Sequence, residues 1–519
     1  MNAAQSRQRQ LDNPRRHITV VFSGLMLSML LASLSQMVLS TALPTMVGEL
    51  NGADHMVWVI TAYILASTIS MPIYGKLGDL LGRKRLLMAA IVLFVAGSVV
   101  GGLAGDMNWL IAGRTVQGLG GGGLIILSQA VIADLVPARD RGKYMGIMGG
   151  VFAASSVAGP LLGGWFTEDI GWRWTFWINL PLGTLALAVT ALYLHLPTGT
   201  TKNPRLDYAG MGLLSVSTAS LVLVATWGGG TYAWTSPVIL ALVAVTIAAG
   251  IVFVHVERRA DEPIIPMHLF ADRNFNLTTV AGLFIGVAMF GAMSYLPTYL
   301  QMATGASATI AGLLMVPMMG SLMVVSVISG IHVSRTGRYK WLPIAGSVAL
   351  AASMVLLSTM TVDTPVWLIC SYIGLMGVGL GASMQILVLV VQNSFPITEV
   401  GTATAANNYF RQVGASLGSA VVGSVFATRL TSLLSDRLPS GGSGSSTNSF
   451  TPDAVKHLPP AIRQAVVESY NDALAPIFLY IAPLAVAAVV LLCFLHEKPL
   501  STTVERELPA EPLAETQLV

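Results

Sequence analysis

The sequence predicts an all-α membrane protein of fourteen transmembrane helices, and three observations carry that prediction. Hydrophobic residues fill 54% of the 519 positions and charged residues only 10%, against about a quarter charged in soluble domains. The apolar residues fall in continuous runs of about 20, the length a helix needs to cross the hydrocarbon of a bilayer. Strand-type alternation is absent, and backbone groups in lipid find no water, so such runs must close their hydrogen bonds internally as helices.

In chain order the runs are 18–43, 56–75, 86–105, 109–135, 143–166, 174–195, 208–227, 236–255, 277–300, 308–331, 341–360, 366–391, 401–428 and 473–495. The first is too long, and lacks a small-residue cleavage site, for a removable signal segment, so it reads as a retained helix. Lys and Arg set the orientation, because cytosolic connections retain them. With the amino terminus inside, the inner segments hold 21 of the 28 and the outer segments 5, and the other two, Arg114 and Arg411, lie within spans. Both termini are therefore expected in the cytosol.

The second and third runs flank a charged turn, Gly75 to Arg85, which recurs in weaker form from Gly330 to Lys340. Gly82 matches Gly337 and Arg83 matches Arg338, while Asp79 is replaced by Ser334. A duplicated turn in a hydrophobic chain points to a transporter built from two similar halves. The predicted organisation is a tail over 1–17, a six-helix bundle over 18–195, a two-helix linking hairpin over 207–255, a second bundle over 277–495 and a cytosolic tail over 496–519. Within the second bundle, 429–472 reads as one long outer loop. Its Ser440 to Ser449 run is a flexible linker by composition, followed by a short amphipathic helix from Pro460 to Tyr470. The tail from Glu497 has the composition of a disordered segment.

Within the turn, Gly75 and Gly78 allow close helix contact, Asp79 can cap or pair, and Gly82 permits a sharp reversal. Arg83, Lys84 and Arg85 hold the loop at the headgroups. The turn is either a pure topology anchor or a latch that forms in one conformation and breaks in the other. In the fourth run, Arg114 precedes Gln117, Gly118 and Gly120 to Gly123. A guanidinium at that depth is costly by several kcal/mol unless it faces a polar cavity or finds acceptors, which makes it a functional candidate or, on the bland reading, a snorkelling residue. Gly146 to Gly164, with Gly159 and Pro160, make the fifth run a thin helix shaped for close packing or for bending. Asn407 and Arg411 give the thirteenth run a similar intramembrane charge. Met315, Met319 and Met323, with Met289, Phe290, Met293, Tyr295 and Tyr299, are ordinary packing or an adaptable apolar wall. Tyr63, Gln36, Gln117 and Asn407 could add hydrogen bonds to such a cavity, and Ser35 is a further candidate for its lining.

Cys370 and Cys493 sit in apolar spans without disulfide or metal spacing, and the eight His residues fall at span ends or in connections; no metal or cofactor is expected. The net charge of +3 forms no basic stripe interleaved with aromatics, which excludes nucleic acid as a partner. No nucleophile, phosphate loop or zinc motif marks an enzyme.

The succession Gly75 to Arg85, Arg114 with Gln117, Gly118 and Gly120, Gly159 with Pro160, and the Trp172 to Gly183 segment resembles the major facilitator superfamily. With fourteen spans it is similar to the drug:proton antiporter branch (EmrB/QacA type). The resemblance implies two six-helix bundles rocking about a central cavity, export of small amphiphilic molecules, and drive from an ion gradient, protons in that branch. It further implies a monomer in a bacterial plasma membrane. The alternative is a dedicated exporter of one endogenous metabolite or lipid. One departure matters: where the family carries Leu-Asp-x-Thr before Ala42, Leu43 and Pro44, this chain has Leu34, Ser35, Gln36 and Met37. A proton path cannot then use a first-span carboxylate, which leaves Asp134 first and Glu168 second as coupling acids.

Overall fold

The computed structural model describes residues 14–503, apart from 51, 53, 54, 197–204, 230, 307, 438–454, 456 and 457. Among the described residues there is no β-strand, and fourteen helical spans are long and apolar enough to cross a membrane. They are α1 (Ile18–Glu49), α2 (Met56–Leu81), α3 (Arg83–Gly102), α4 (Met107–Leu135), α5 (Ala138–Ile170), α6 (Trp174–Tyr193), α7 (Tyr208–Trp227), α8 (Pro237–Glu257), α9 (Arg273–Met302), α10 (Ile310–Thr336), α11 (Trp341–Ser358), α12 (Val366–Gln392), α13 (Val400–Arg437) and α14 (Pro460–Cys493).

The duplication read from the two turns extends to the packing. In the first half α1 packs on α5 and α6, α4 on α2 and α3, and α3 on α6. In the second half the same set recurs eight helices later: α9 on α13 and α14, α12 on α10 and α11, and α11 on α14. Glycine produces the same close crossing in both copies. A Cβ on Gly97 would lie 2.7 Å from the Gly113 carbonyl oxygen, and one on Gly346 would lie 2.7 Å from that of Gly379, so α3 meets α4, and α11 meets α12, backbone to backbone. Both repeated turns also reverse through a left-handed glycine, Gly82 at φ 95° and Gly337 at φ 74°, a conformation other residues adopt only with strain.

The hairpin α7–α8 does not stand apart from the halves. Trp227 stacks edge-on against Trp58 of α2, with ring centroids 5.7 Å apart. Thr218 and the Tyr409 hydroxyl of α13 lie 2.8 Å apart, and Trp234 donates to Ser424 of α13 at 2.5 Å. The hairpin thus bridges the seam where α2 and α13 meet.

Two expectations are corrected. The connection between the last two spans is shorter than 429–472, because α13 continues to Arg437 and α14 already begins at Pro460. Pro460 to Tyr470 is the first part of α14 rather than a separate amphipathic helix; Leu430 and Leu434 pack there with Val466, Val467 and Tyr470, which keeps the helix whole. The Ser440 to Ser449 run lies outside the described residues, as do 1–13 and 504–519.

The start of the carboxy-terminal tail, in turn, is held in place rather than disordered. Glu497 accepts the amides of Tyr339 at 2.6 Å and Lys340 at 3.1 Å, Lys498 pairs with Asp272 at 2.9 Å, and the Ser501 carbonyl accepts the Arg139 amide. Glu497→Gln is expected to raise hydrogen exchange at Tyr339 and Lys340 by roughly five- to ten-fold, the equivalent of about 1 kcal/mol for a weakened hydrogen bond, while amides of the α11–α12 crossing stay protected.

Candidate functional site

The first turn is a lock between the halves. Gly75 lets α2 lie directly on α13, since a Cβ there would come within 2.4 Å of the Ala405 Cβ and 2.8 Å of the Gly401 carbonyl oxygen. One helical turn on, Asp79 reaches the amino-terminal end of α13 and accepts the amides of Gly401 at 3.2 Å and Thr402 at 2.7 Å, and the Thr402 hydroxyl at 2.8 Å. A carboxylate on free amides at a helix start is favoured by hydrogen bonding and by the helix dipole; here the cap comes from the opposite half. Arg83 joins the assembly by donating to Asp79 at 2.7 Å, Asp134 at 2.5 Å, and the carbonyls of Ala130 at 2.8 Å and Ile397 at 2.8 Å. The Asp79 and Arg83 side chains are each 5% exposed. Lys76 pairs with Glu262, just beyond the hairpin, at 2.6 Å. Arg85 is exposed and takes no part.

The second turn docks in the mirrored way, on α5. Ser334 donates to Asp140 at 3.0 Å, and Arg139 donates to the carbonyls of Ser334 and Arg335. Gly142 and Gly330 meet backbone to backbone. Both seams therefore close at one face of the molecule, called here the basic face. Deeper in, Gln392 donates to the Gln129 carbonyl at 3.2 Å, Asn408 donates to the Gln129 side chain at 3.0 Å, and Arg411 donates to Asn408. Sequence reading passed over Gln129, Gln392 and Asn408. Their signal was a side-chain amide inside a long membrane span, a group that needs partners wherever it is buried; here Thr404 supplies some of them and the opposite half the rest.

Arg114 is 1% exposed and finds acceptors instead of a cavity. It donates to Gln117 at 2.5 Å and to the Val59 carbonyl at 3.3 Å, and its guanidinium lies 4.1 Å from the Tyr63 ring centre. Gln117 passes the network on to Ser98, which also receives Asn179. Ser35 is 3.5 Å from the guanidinium, so the first-span position at which the sequence departs from the branch it resembles is beside this cation. Among the described residues, neither Arg114 nor Arg411 forms an ion pair.

Toward the opposite face the halves part around a cavity of about 600 Å³. Its walls are the ends of α2 and α13 remote from the lock, together with α7 of the hairpin. Of the residues named for an apolar cavity wall, Tyr295 borders this one; Ser35, Gln36, Tyr63, Met289, Phe290, Met293 and Asn407 do not. Ser35, Tyr63 and Asn407 are buried between helices, and Met289 is buried in the core of the second half, with Phe290 and Met293 packed against it. Met315 and Met319 belong to the same core, whereas Met323 is exposed. Gln36 is half-buried on α1. Gly159 serves the α1–α5 crossing, where a Cβ would meet that of Met37 at 2.4 Å, and Pro160 follows it inside the same helix. Asp134 belongs to the lock, and Glu168 is exposed at the far end of α5.

Two packed copies of a six-helix bundle, joined at one face and parted at the other, define a two-half helical membrane protein. The sequence pattern of the Major Facilitator Superfamily matches residues 25–419, and the chain belongs to that family of transporters. It is 40% identical over 493 residues to an uncharacterized MFS-type transporter of Mycobacterium tuberculosis, covering 95% of this chain and 71% of that one. It is 36% identical to the multidrug transporter protein MdtP of Bacillus subtilis over 89% of this chain and 90% of the relative. The crystal structure of the human organic anion transporter MFSD10 shares the fold, with a TM-score of 0.61 at 16% identity over 92% of this chain and 99% of that one.

Proposed function

We propose that this chain is a secondary active exporter of amphiphilic small molecules, working by alternating access and exchanging its cargo for protons. It would sit in a bacterial plasma membrane with both termini and the basic face in the cytosol, and it carries cargo without chemical change. The observation that supports this most directly is that the same two halves are interlocked at the basic face and separated by a cavity toward the other. An exporter must load at one face and release at the other, so each end must be able to close by parts that can also separate. Capping bonds from a carboxylate to another half's amides are of that kind, each being about 1.5–3 kcal/mol when charge-assisted. The 21 basic residues in alternate connections support the orientation, and the relative named as a multidrug transporter supports the cargo class. Asp134 is the candidate coupling acid, because a proton there would weaken its grip on Arg83.

Accumulation of fluorescent cations, neutrals and zwitterions in an efflux-deficient host tests the reading. Cells expressing the chain are expected to retain less neutral or zwitterionic dye than vector controls, and a protonophore should abolish the difference. Retention equal to the vector for every dye overturns export; export that survives the protonophore overturns proton exchange.

A further inference from the structure

We propose that the hairpin-walled cavity is a binding site for uncharged amphiphiles, so that α7, the first of the two linking helices, supplies part of the cargo site instead of acting only as a spacer. This deepens the exporter reading and rests on it for physiological meaning, though not for the binding itself. The cavity, about 600 Å³, falls inside the range of roughly 300–1,000 Å³ typical of sites for drug-sized molecules. One wall is the start of α2, with Val57, Ile60, Thr61 and Ile64. The second is α13 beyond its Arg411, from Ser416 on, and the third is α7 with Val222, Ala225 and Thr226.

Chemistry narrows the occupant. Among the described residues no Asp, Glu, Lys, Arg or His borders the cavity, so an ionised ligand would lose hydration without gaining a counter-charge. The wall is instead aliphatic and aromatic, interrupted by hydroxyls. Among the described residues, those of Thr61, Ser416 and Tyr295 have no hydrogen-bond partner, and Thr61 is only 5% exposed. An unengaged hydroxyl in an apolar cavity is the kind of sparse polar group that orients a ligand. The occupant that meets both conditions is a flat or compact apolar body with one or two uncharged hydrogen-bonding groups. The third wall is fixed in place, because Trp227 stacks on Trp58 and Trp234 bonds Ser424.

The test measures Nile red, an uncharged amphiphile, binding by fluorescence to the purified full chain in lipid nanodiscs, alongside its efflux from cells. Ala225→Trp, which fills the cavity from the hairpin side, is expected to weaken binding at least ten-fold, and Val57→Trp, filling it from α2, to do the same. Val216→Trp, on an exposed part of α7 away from the cavity, should leave binding unchanged, and the cation rhodamine 6G should compete poorly with Nile red. Tyr295→Phe is expected to weaken binding about three- to ten-fold through one lost hydrogen bond. Two independent fillers keep the test open if one variant fails to fold. The site is overturned if a folded Ala225→Trp or Val57→Trp protein binds Nile red as the unmodified chain does, or if rhodamine 6G displaces it stoichiometrically. Because binding is read without transport, loss of efflux with intact binding would strike the exporter reading and leave the site standing.

Discussion

Arg83→Ala is expected to unlatch the basic face. The guanidinium is the shared partner of Asp79 and Asp134 and also ties the Ile397 carbonyl of the opposite half. Its removal leaves two carboxylates facing each other in a site where Asp79 is 5% exposed, and breaking a buried pair from one side costs about 3–5 kcal/mol. If half of that is specific to the closed arrangement, the balance between closed and open basic faces shifts by roughly ten- to sixty-fold. Asp79→Asn should act in the same direction but less, since the amide oxygen still accepts one α13 amide. Spin labels at Lys143 and Arg335, flanking the α5–α10 seam, report the change: the distance distribution should lengthen and broaden in Arg83→Ala and less so in Asp79→Asn. Cargo affinity in the remote cavity should change by less than about three-fold. An unaltered distribution in Arg83→Ala would show that the glycine crossings alone close this face and that the turn is a topology anchor.

How much of this was legible in advance depended on whether a signal was local. Apolar length and basic connections expose the fourteen spans, and Gly82 and Gly337 mark the two reversals because only backbone conformation is at stake there. The lock was half visible: Asp79 and Arg83 stood out as charges, but their partners Gly401, Thr402 and Ile397 are backbone groups that carry no sequence mark. Intramembrane polarity was read by charge, which found Arg114 and Arg411 and passed over Gln129, Gln392 and Asn408, whose pairing depends on which helices meet. The cavity was only partly legible for a related reason: Tyr295 lines it, while the methionines named beside it take the packing role. A methionine stripe looks the same whether it faces a core or a void, and Met289 and Met315 face the core of the second half. Nothing periodic in α7 announces that it walls a cavity; that follows from Trp58 and Tyr409 drawing it against both halves.

Arg114→Ala is expected to reduce efflux to the vector level while the protein still inserts. The residue is enclosed by neutral groups alone, the Gln117 side chain, the Val59 carbonyl, Ser35 and the Tyr63 ring. Holding a cation in the membrane against a desolvation cost of at least about 2.5–3.5 kcal/mol without a counter-ion is a burden that a purely structural residue would shed. Since removing the guanidinium strands no counter-ion, the substitution should spare folding, although Gln117 loses a partner. Arg114→Lys should fail to rescue efflux, because an ammonium cannot reach both acceptors and lie flat on the ring. Ser35 sharpens the test. A carboxylate at that position would stand close enough to the guanidinium to pair with it, so Ser35→Asp should gain no cation efflux while Arg114 remains. The measurement is dye efflux normalised to membrane-inserted protein, with thermal unfolding in detergent as the control. Normal efflux by Arg114→Ala at unmodified expression would remove the residue from the mechanism, and cation efflux gained by Ser35→Asp alone would show that the new acid stays free of Arg114.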